Sequence, residues 1–325
     1  MRLIFLCILI VLMRYSGLAQ TNSRYTQYLN NQMLINAASV GSKLTPEIKF
    51  GNRWQWAGLE GAPRSGYISF QTSFSNNDVE KVVNFLKYQK FKNRSRESRN
   101  VAQHGFGGLV WYDKTGIFNQ NSFNLYYSYH IPVFEGHKLA AGASSQFYSY
   151  SVSRDSDPND PALYRVEDAS YTDFSIGLFL YSTDHYLGVS INSIRDKEIY
   201  NNLSGSKIFI LSSGFEMDIS PQLSIVPSVV INRYFHHVFN ARVFYDINLM
   251  AKYNEMVWSA VSKRSAGEWV FLIGGYIIKN KVDLNYTYED TISRNNYLKS
   301  SHELSLTFYL GGVDKVQCPT ILPYF

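Results

Sequence analysis

Apolar and polar residues alternate along most of the chain, and the pattern starts in two segments joined by a glycine-rich connection. In the first segment, residues 47–56, the apolar face consists of Ile48, Phe50, Trp54 and Trp56. In the second, residues 66–74, it consists of Ile68, Phe70 and Phe74. Side chains of a β-strand point alternately to two faces, so a period of two predicts strands. The two segments therefore predict a β-hairpin with residues 57–64 as its connection.

The same alternation returns at Gly105 and continues almost to the C-terminus. The sequence predicts about 14 strands, each of roughly 8 to 12 residues, close to the 9 to 11 that a tilted strand needs to cross a bilayer. Residues 256–277 are the least regular, because apolar groups lie on both faces there. The clearest apolar faces are Phe123, Leu125, Tyr127 and Tyr129 in one strand and Leu304, Leu306, Phe308 and Leu310 in the last.

The connections between the predicted strands differ in length in a regular way. With the N-terminus in the periplasm, long outer loops should alternate with short periplasmic turns. The predicted short turns are 132–137, 182–185, 220–222, 251–254 and 278–280, and the long loops are 151–170, 194–206 and 291–300. Residues 75–104 break this rule. Strand period and loop lengths together favour an all-β fold, namely a transmembrane antiparallel β-barrel of about 14 strands in the outer membrane.

A soluble β-sandwich would show the same alternation, because each of its sheets buries one apolar face. A chain of this length would usually divide into two such domains, and no linker is apparent. Aromatic residues make up 16 % of the chain, and many fall near strand ends, as the girdles of a membrane barrel require. The predicted girdle residues are Trp54, Trp56, Trp111, Tyr112, Tyr148, Tyr150, Trp258, Trp269, Tyr286 and Tyr288. The barrel is therefore favoured over the sandwich.

Residues 1–19 have the features of a secretory signal peptide. Arg2 is followed by an apolar run from Leu3 to Met13 and by the small-residue cleavage site Gly17-Leu18-Ala19. The apolar run is too short to span a membrane. A buried first helix is the competing interpretation.

After cleavage, the sequence predicts one barrel with three additional segments. The barrel covers residues 47–325. The additional segments are an N-terminal periplasmic segment at 20–46 and, within the barrel range, a periplasmic insertion at 75–104 and a C-terminal tail at 311–325. Within the insertion, residues 82–89 suit either one short amphipathic helix or a solvated loop. Cys318 is the single cysteine left after cleavage, which excludes an internal disulfide.

Charge and residue types argue against nucleic-acid binding and against catalysis. The net charge of +5 is not concentrated into the basic face that nucleic acids require. The seven histidines lack metal-ligand spacing, and the chain has neither a Gly-rich phosphate loop nor a Gly-x-Ser-x-Gly elbow. Residues 155–160 begin like a calcium loop, but Asp160 replaces its glycine and Val166 its closing glutamate. We expect no catalytic residue, no cofactor and no metal.

More specific motifs stand at both ends of the predicted barrel. They are Tyr25-Thr26-Gln27-Tyr28, Ile35-Asn36-Ala37-Ala38, Arg53-Trp54-Gln55-Trp56, Gly58 with Gly61-Ala62-Pro63-Arg64, Ser301-His302-Glu303-Leu304, and Cys318-Pro319 with Phe325. In these residues the chain resembles the PorP/SprF family, outer-membrane proteins of the type IX secretion and gliding machinery of Bacteroidetes. Ala38 departs from the Asn-Pro-Ala triplet expected there, and the insertion at 75–104 is longer than usual. The motif residues taken as structural or partner-binding are Asn36, Arg53, Gln55, Trp56, Gly58, Gly61, Ala62, Pro63, Arg64, His302 and Glu303.

The resemblance implies a non-enzymatic role in secreting a large adhesin or attaching it at the cell surface. The implied partners are the adhesin or its C-terminal domain, a periplasmic peptidoglycan-binding lipoprotein, other type IX secretion components and outer-membrane lipids, without nucleic acid. The long outer loops at 151–170, 194–206 and 291–300 would then be the partner face. The alternative is an outer-membrane channel for small solutes. A channel needs an open lumen, whereas an anchoring role predicts a plugged one. The charged residues predicted to face the interior could line a channel or pair to close one, and they are Arg53, Glu216, Asp218, Arg242, Asp246, Asp283, Glu289 and Glu303.

Two further alternatives concern chemistry and the motif. An outer-membrane enzyme would need Ser, His and an acid clustered at one rim, and the spacing suggests no such cluster. In the motif, Gly58 and Gly61 permit unusual backbone angles and Pro63 stiffens the connection. The motif therefore predicts either a tight turn needed for barrel closure or a surface that binds a partner.

Overall fold

The computed structural model describes most of the chain between residues 26 and 310. The described ranges are 26–75, 101–134, 136–153, 168–195, 198–200, 203–204, 207–235, 242–265, 267–291 and 300–310. Several sequence predictions lie outside these residues, namely the signal peptide at 1–19, the helix or loop at 82–89, the acidic loop at 155–160, most of the three long outer loops and the tail at 311–325.

Fourteen strands form one closed antiparallel sheet. They are β1 Glu47–Trp54, β2 Arg64–Ser75, β3 Gln103–Thr115, β4 Phe118–Phe134, β5 His137–Val152, β6 Ala169–Tyr181, β7 His185–Asn192, β8 Lys207–Phe215, β9 Leu223–Phe235, β10 Arg242–Tyr253, β11 Val257–Arg264, β12 Glu268–Ile278, β13 Val282–Thr291 and β14 Ser301–Tyr309. Met217–Ser220 continues β8 and also pairs with β9. Each strand pairs with its neighbours in sequence, and β1 pairs with β14 to close the barrel. The predicted barrel and its strand number are confirmed.

The outward face of the barrel is apolar and the inward face is polar. In β4, for example, Leu125 is 54 % exposed, whereas Ser128 is 0 % exposed. A soluble sandwich would bury its apolar face. Here the apolar face points away from the protein, as it does in a barrel surrounded by lipid hydrocarbon. The distribution of exposed side chains therefore excludes the sandwich.

Some strand ends differ from the sequence prediction. β1 ends at Trp54 rather than Trp56, because Trp56 has a positive φ of 50° and leaves the strand path. The amide of Ala57 then donates to the carbonyl of Ser300. The predicted insertion at 75–104 was slightly too long, since β2 extends to Ser75 and β3 begins at Gln103.

The predicted girdle residues divide between the two faces. Trp54, Tyr112 and Tyr286 lie on the outer surface and are exposed, as expected. The prediction was wrong for four others, which occupy inward positions of their strands: Trp111, Tyr148, Tyr150 and Trp258. Nearness to a strand end does not fix the face, which depends on whether the position is odd or even within the strand.

The irregular pattern of residues 256–277 has a structural reason. Val261 and Phe271 face outward, while Ala260 and Leu272 are buried on the inner face. The inner residues belong to an apolar cluster inside the barrel that also contains Leu29. Part of the hydrophobic core of the molecule therefore lies within the lumen.

Helical structure in the described residues is limited to three short 3₁₀ turns ahead of β1. They are Thr26–Leu29, Gln32–Leu34 and Ala37–Ser39. Among the described helices, none has the length and apolar character needed to cross a membrane.

Candidate functional site

Residues 26–46, which we call the lumen segment, lie inside the barrel. Val40, Ala38 and Leu29 are at most 1 % exposed, and the polar Asn31 and Asn36 are also buried. The sequence prediction treated residues 20–46 as a periplasmic segment apart from the barrel. In the structure, the part that is described packs against the inward faces of the strands, because those faces supply partners for its many polar groups.

Glycines on the inward faces of β3, β5 and β6 allow the lumen segment to approach the sheet closely. A Cβ atom at Gly142 would lie 2.5 Å from the Cα of Ala38. A Cβ at Gly105 would overlap the carbonyl oxygen of Val40, and one at Gly177 would overlap the side chain of Asn36. A glycine within a strand often marks such a close approach of another backbone. These three glycines therefore form a cradle for residues 36–40.

Asn36, one of the predicted motif residues, joins the lumen segment to the cradle. Its Oδ1 accepts a hydrogen bond from the amide of Ala38 at 2.9 Å and thereby caps a 3₁₀ turn. Its Nδ2 donates to the carbonyl oxygen of Leu178 in β6 at 3.0 Å. The carbonyl of Ile35, one residue earlier, accepts from the hydroxyl of Ser190 in β7 at 2.6 Å. The Asn36 side chain thus hydrogen-bonds both to the amide of its own turn and to a carbonyl oxygen of β6.

Arg53 and Glu303, two further motif residues, meet inside the barrel. They are direct neighbours across the β1–β14 pairing and form a buried ion pair. The Nη2 of Arg53 also lies 3.0 Å from the Oε2 of Glu289, which in turn lies 2.8 Å from the Nη1 of Arg264. Arg264 approaches Asp246 at 3.9 Å. Five charged side chains therefore connect β1, β14, β13, β11 and β10 along one side of the lumen.

The lumen segment takes part in this charge network and in a second one. The hydroxyl of Tyr28 donates to Asp246 at 3.2 Å. Where the segment enters β1, the Nζ atoms of Lys43 and Lys49 lie 3.0 and 3.3 Å from the carboxylate of Glu47. The sequence left open whether inward charges line a channel or pair to close one. In the structure, Arg53, Glu289 and Glu303 form ion pairs, and Asp246 contacts both Arg264 and Tyr28 of the lumen segment.

The rest of the motif forms the turn between β1 and β2. Gly58 and Gly61 have positive φ angles of 91° and 70°, as predicted from their position in the motif. The carbonyl of Pro63 accepts from the amide of Gln55 at 3.0 Å, and that of Gly61 accepts from the amide of Gly116 at 3.0 Å. The turn therefore also holds the neighbouring β3–β4 turn. Ala62 and Trp56 lie half-buried within it.

Two motif residues lie on the outer surface. Arg64 is exposed at the start of β2. His302 faces outward in β14, where its Nδ1 and the hydroxyl of Tyr286 are 2.7 Å apart. Motif residues that are adjacent in sequence, such as His302 and Glu303, therefore occupy opposite faces of the barrel wall.

A known protein family matches the part of the chain that contains these motif residues. The sequence model of a family described as "Type IX secretion system membrane protein PorP/SprF" matches residues 17–308, which is most of the chain. The chain belongs to the PorP/SprF family. The resemblance seen in the motifs is thereby confirmed. This PorP/SprF barrel is a membrane protein of a type IX secretion family, and that membership implies other components of the secretion system as partners.

Comparison with solved structures gives distant similarities to membrane barrels. The Acinetobacter baumannii outer membrane protein Omp33 is 10 % identical, with 83 % of this chain and 100 % of that chain covered and a TM-score of 0.43. The Pseudomonas putida toluene transporter TodX is 10 % identical, with 90 % and 95 % covered and a TM-score of 0.45. The translocator domain of the autotransporter NalP from Neisseria meningitidis is 11 % identical, with 87 % and 93 % covered and a TM-score of 0.36. No curated protein sequence matches significantly. Similarities this distant carry no functional argument.

A group of stacked tyrosines lines the lumen wall of this PorP/SprF barrel toward the end where β1 and β2 connect. The rings of Tyr150 and Tyr171 are nearly parallel, with centroids 5.7 Å apart, and their hydroxyls are 3.2 Å apart. The ring of Tyr148 lies 5.0 Å from that of Tyr171. We call these three residues the tyrosine stack. The sequence analysis placed Tyr148 and Tyr150 in the aromatic girdle. The alternation in β5 nevertheless indicates that even-numbered positions such as 148 and 150 face the lumen.

The described residues do not form a recognisable metal site. Within the described ranges, no group of three or more His, Cys, Asp and Glu side chains is placed to hold a metal ion. His137 and His185, the first residues of β5 and β7, have Nε2 atoms 3.1 Å apart.

Proposed function

We propose that this PorP/SprF barrel is a non-enzymatic component of the type IX secretion and gliding machinery in the outer membrane. In this role it helps secrete a large adhesin or anchor it at the cell surface, and it contacts the adhesin or its C-terminal domain. A periplasmic peptidoglycan-binding lipoprotein is its proposed partner on the other side of the membrane. Family membership supports the secretion role.

The filled lumen is the observation that favours this role over a small-solute channel. Porin-type channels keep a water-filled interior, whereas other barrels are plugged by a segment of their own chain. Here the lumen segment is buried against strands from several sides of the barrel, and the ion pair of Lys43 with Glu47 and the hydrogen bond of Tyr28 to Asp246 bind it to the wall. A barrel filled in this way suits attachment of a partner better than passage of solutes.

The tyrosine stack supports a contact surface for the adhesin at the outer end of the barrel. Tyrosine is enriched among the residues that dominate protein–protein binding energies, because it offers a large rigid surface with a polar tip. The stack lies on β5 and β6, next to the loop between them, which the sequence predicted as part of the partner face. We therefore propose that it contacts the adhesin together with the outer loops.

We expect the double substitution of Tyr148 and Tyr171 by alanine to reduce the amount of adhesin that co-purifies with the tagged full-length barrel by about tenfold or more. The reason is that each such residue contributes about 1–2 kcal/mol or more to the binding free energy. Mass spectrometry of proteins purified from outer membranes in mild detergent measures the effect. The lipoprotein should be retained, since the stack lies far from the periplasmic turns. A wild-type barrel that purifies without either partner and conducts ions in planar bilayers would favour the channel instead.

The proposed location requires export, so we expect the mature chain to begin at Gln20. The intact mass of protein purified from outer membranes checks this directly. A mass that includes residues 1–19 would contradict the signal-peptide interpretation and support the alternative of a first helix that stays in the protein.

A further inference from the structure

Two positively charged residues lie directly opposite each other on the outward face of the barrel. Arg64 begins β2, Lys114 lies near the end of β3, and the two are register partners. Both side chains are exposed. Like charges directly opposite on neighbouring strands repel each other and destabilise a sheet. Their juxtaposition therefore needs an explanation outside the sheet itself.

The position of this pair relative to the apolar surface indicates what surrounds it. Three successive outward rows cross strands β1 to β5 in register. They are an apolar row of Phe50, Ile68, Val110, Phe123 and Phe147, a middle row of Asn52, Gly66, Tyr112, Asn121 and Ser149, and a terminal row of Trp54, Arg64, Lys114, Asn119 and Ser151. The terminal row lies four residues beyond the apolar one, which is roughly 13 Å along the strands. The cations therefore lie where hydrocarbon gives way to lipid headgroups.

Two other outward cations near the same end of the barrel, Lys263 and Arg233, each lie against an aromatic ring. The Nζ of Lys263 lies 4.5 Å from the ring centre of Trp269, and the guanidinium of Arg233 lies 4.9 Å from that of Phe235. Among the described residues, no acidic side chain forms an ion pair with Arg64 or Lys114, and neither stacks on a ring. Arg64 and Lys114 thus differ from Lys263 and Arg233, because within the described residues neither contacts an aromatic ring or a carboxylate, and they place two positive charges side by side.

A surface cavity of about 510 Å³ lies at this pair. The ring of Tyr112 lies over Gly66, where a Cβ would come within 2.5 Å of it. The Tyr112 hydroxyl accepts a hydrogen bond from Asn52 at 3.1 Å, so its own hydrogen can be donated into the cavity. The amides of Asn119 and Asn121 add further donors. Asp113 also borders the cavity, but it faces the lumen side and accepts from Thr115 at 3.2 Å.

We propose that this cavity binds the phosphate of a lipid headgroup in the outer leaflet, with Arg64 and Lys114 as its cationic ligands and Tyr112 as a neutral donor. The leaflet follows from the topology, because, apart from the connection between β2 and β3, the longer connections lie at this end of the barrel, opposite the side where the chain enters β1. Arginine and lysine are the usual phosphate ligands of proteins. The site opens onto the bilayer surface rather than the lumen, so its occupant is a lipid. This proposal goes beyond the secretion role and holds for the barrel whatever its partners are.

Native mass spectrometry of the purified full chain tests the site. Delipidated wild-type protein in detergent is titrated with diphosphoryl lipid A, with the dephosphorylated lipid, with phosphatidylglycerol as an inner-leaflet phosphate lipid, and with inorganic phosphate. The variants are Arg64→Gln combined with Lys114→Gln and, as a matched control, Lys263→Gln, which removes one outward cation that has its own aromatic partner. Heat-modifiable mobility on gels verifies that each variant forms a closed barrel.

We expect the double variant to bind diphosphoryl lipid A about 30-fold more weakly than the wild type, since each basic residue near a membrane surface contributes about a fivefold gain in affinity. The control should bind as the wild type does, and dephosphorylated lipid should bind poorly to all three. Equal binding by the double variant and wild type, or equal binding of both lipid A forms, would overturn the phosphate site. Tighter binding of phosphatidylglycerol would overturn the leaflet, and tighter binding of inorganic phosphate would overturn a lipid as the occupant.

Discussion

Replacing Gly105 by valine is expected to turn a closed barrel into one that conducts ions. The added side chain would overlap the carbonyl oxygen of Val40, which also receives a hydrogen bond from Ser128 and lies 2.8 Å from the Nε2 of His130. Backbone atoms held in this way cannot move aside alone, so the lumen segment must leave the cradle. The loss of stability from this overlap should exceed that of ordinary overpacking in a core, which is about 1–3 kcal/mol.

Single-channel recordings in planar bilayers measure the effect. The matched control is Gly108→Val on the same strand, because the nearest atom to a Cβ at Gly108 is the carbonyl oxygen of Asn124 at 4.0 Å. Wild type and control should stay closed, while Gly105→Val should show ion current. Should all three proteins conduct equally, the lumen segment does not seal the barrel, and the channel function gains support. Heat-modifiable mobility on gels distinguishes an opened barrel from an unfolded one.

Removing the charge of Arg53 is expected to destabilise the barrel by about 3–5 kcal/mol, because it leaves a buried carboxylate without its partner. Arg53 is 2 % exposed and contacts both Glu289 and Glu303. Glu289 keeps its contact with Arg264. The cost of a buried charge that has lost its ion pair with Arg53 therefore falls mainly on Glu303. Arg53→Ala should therefore lower the urea midpoint of unfolding in detergent.

Two further variants make this result specific. Arg195→Ala makes the same substitution at an exposed position and should change stability by less than about 0.5 kcal/mol. Arg53→Met combined with Glu303→Leu replaces the pair by apolar groups and should recover most of the loss, because buried ion pairs are often replaceable by well-packed apolar residues. If Arg53→Ala and Arg195→Ala had the same midpoint, the network around Arg53 would contribute no stability.

The barrel wall could be predicted from sequence because lipid on one side and a polar interior on the other impose a strict period of two. The face of Arg53, Asp246, Glu289 and Glu303 follows from this period, and all four are buried inside the barrel. Asp218, predicted to face inward as well, is exposed at the end of the β8 continuation, where the register shifts. Regular strands are thus predictable and their irregular ends are not.

The contents of the lumen were harder to predict, because the lumen segment has no period of its own. Its conformation depends on partners that are distant in sequence, such as Ser69 for Asn31 and Leu178 for Asn36. One usable signal was present, since Gly105, Gly142 and Gly177 all occupy inward positions where a strand gains nothing from glycine. Such positions together indicate that another backbone lies against the wall.

The pairing of β1 with β14 also determines how the molecule can be assembled. β1 directly follows the lumen segment, whereas β14 lies more than two hundred residues later, so the two strands can meet only after synthesis of the whole sheet. Until then the sheet is open, with two unpaired edges that can associate with other chains. Its concave side is accessible to residues 26–46 without any threading of the chain. The N-terminal segment can therefore reach its place on the inner face before the pairing of β1 with β14 encloses it.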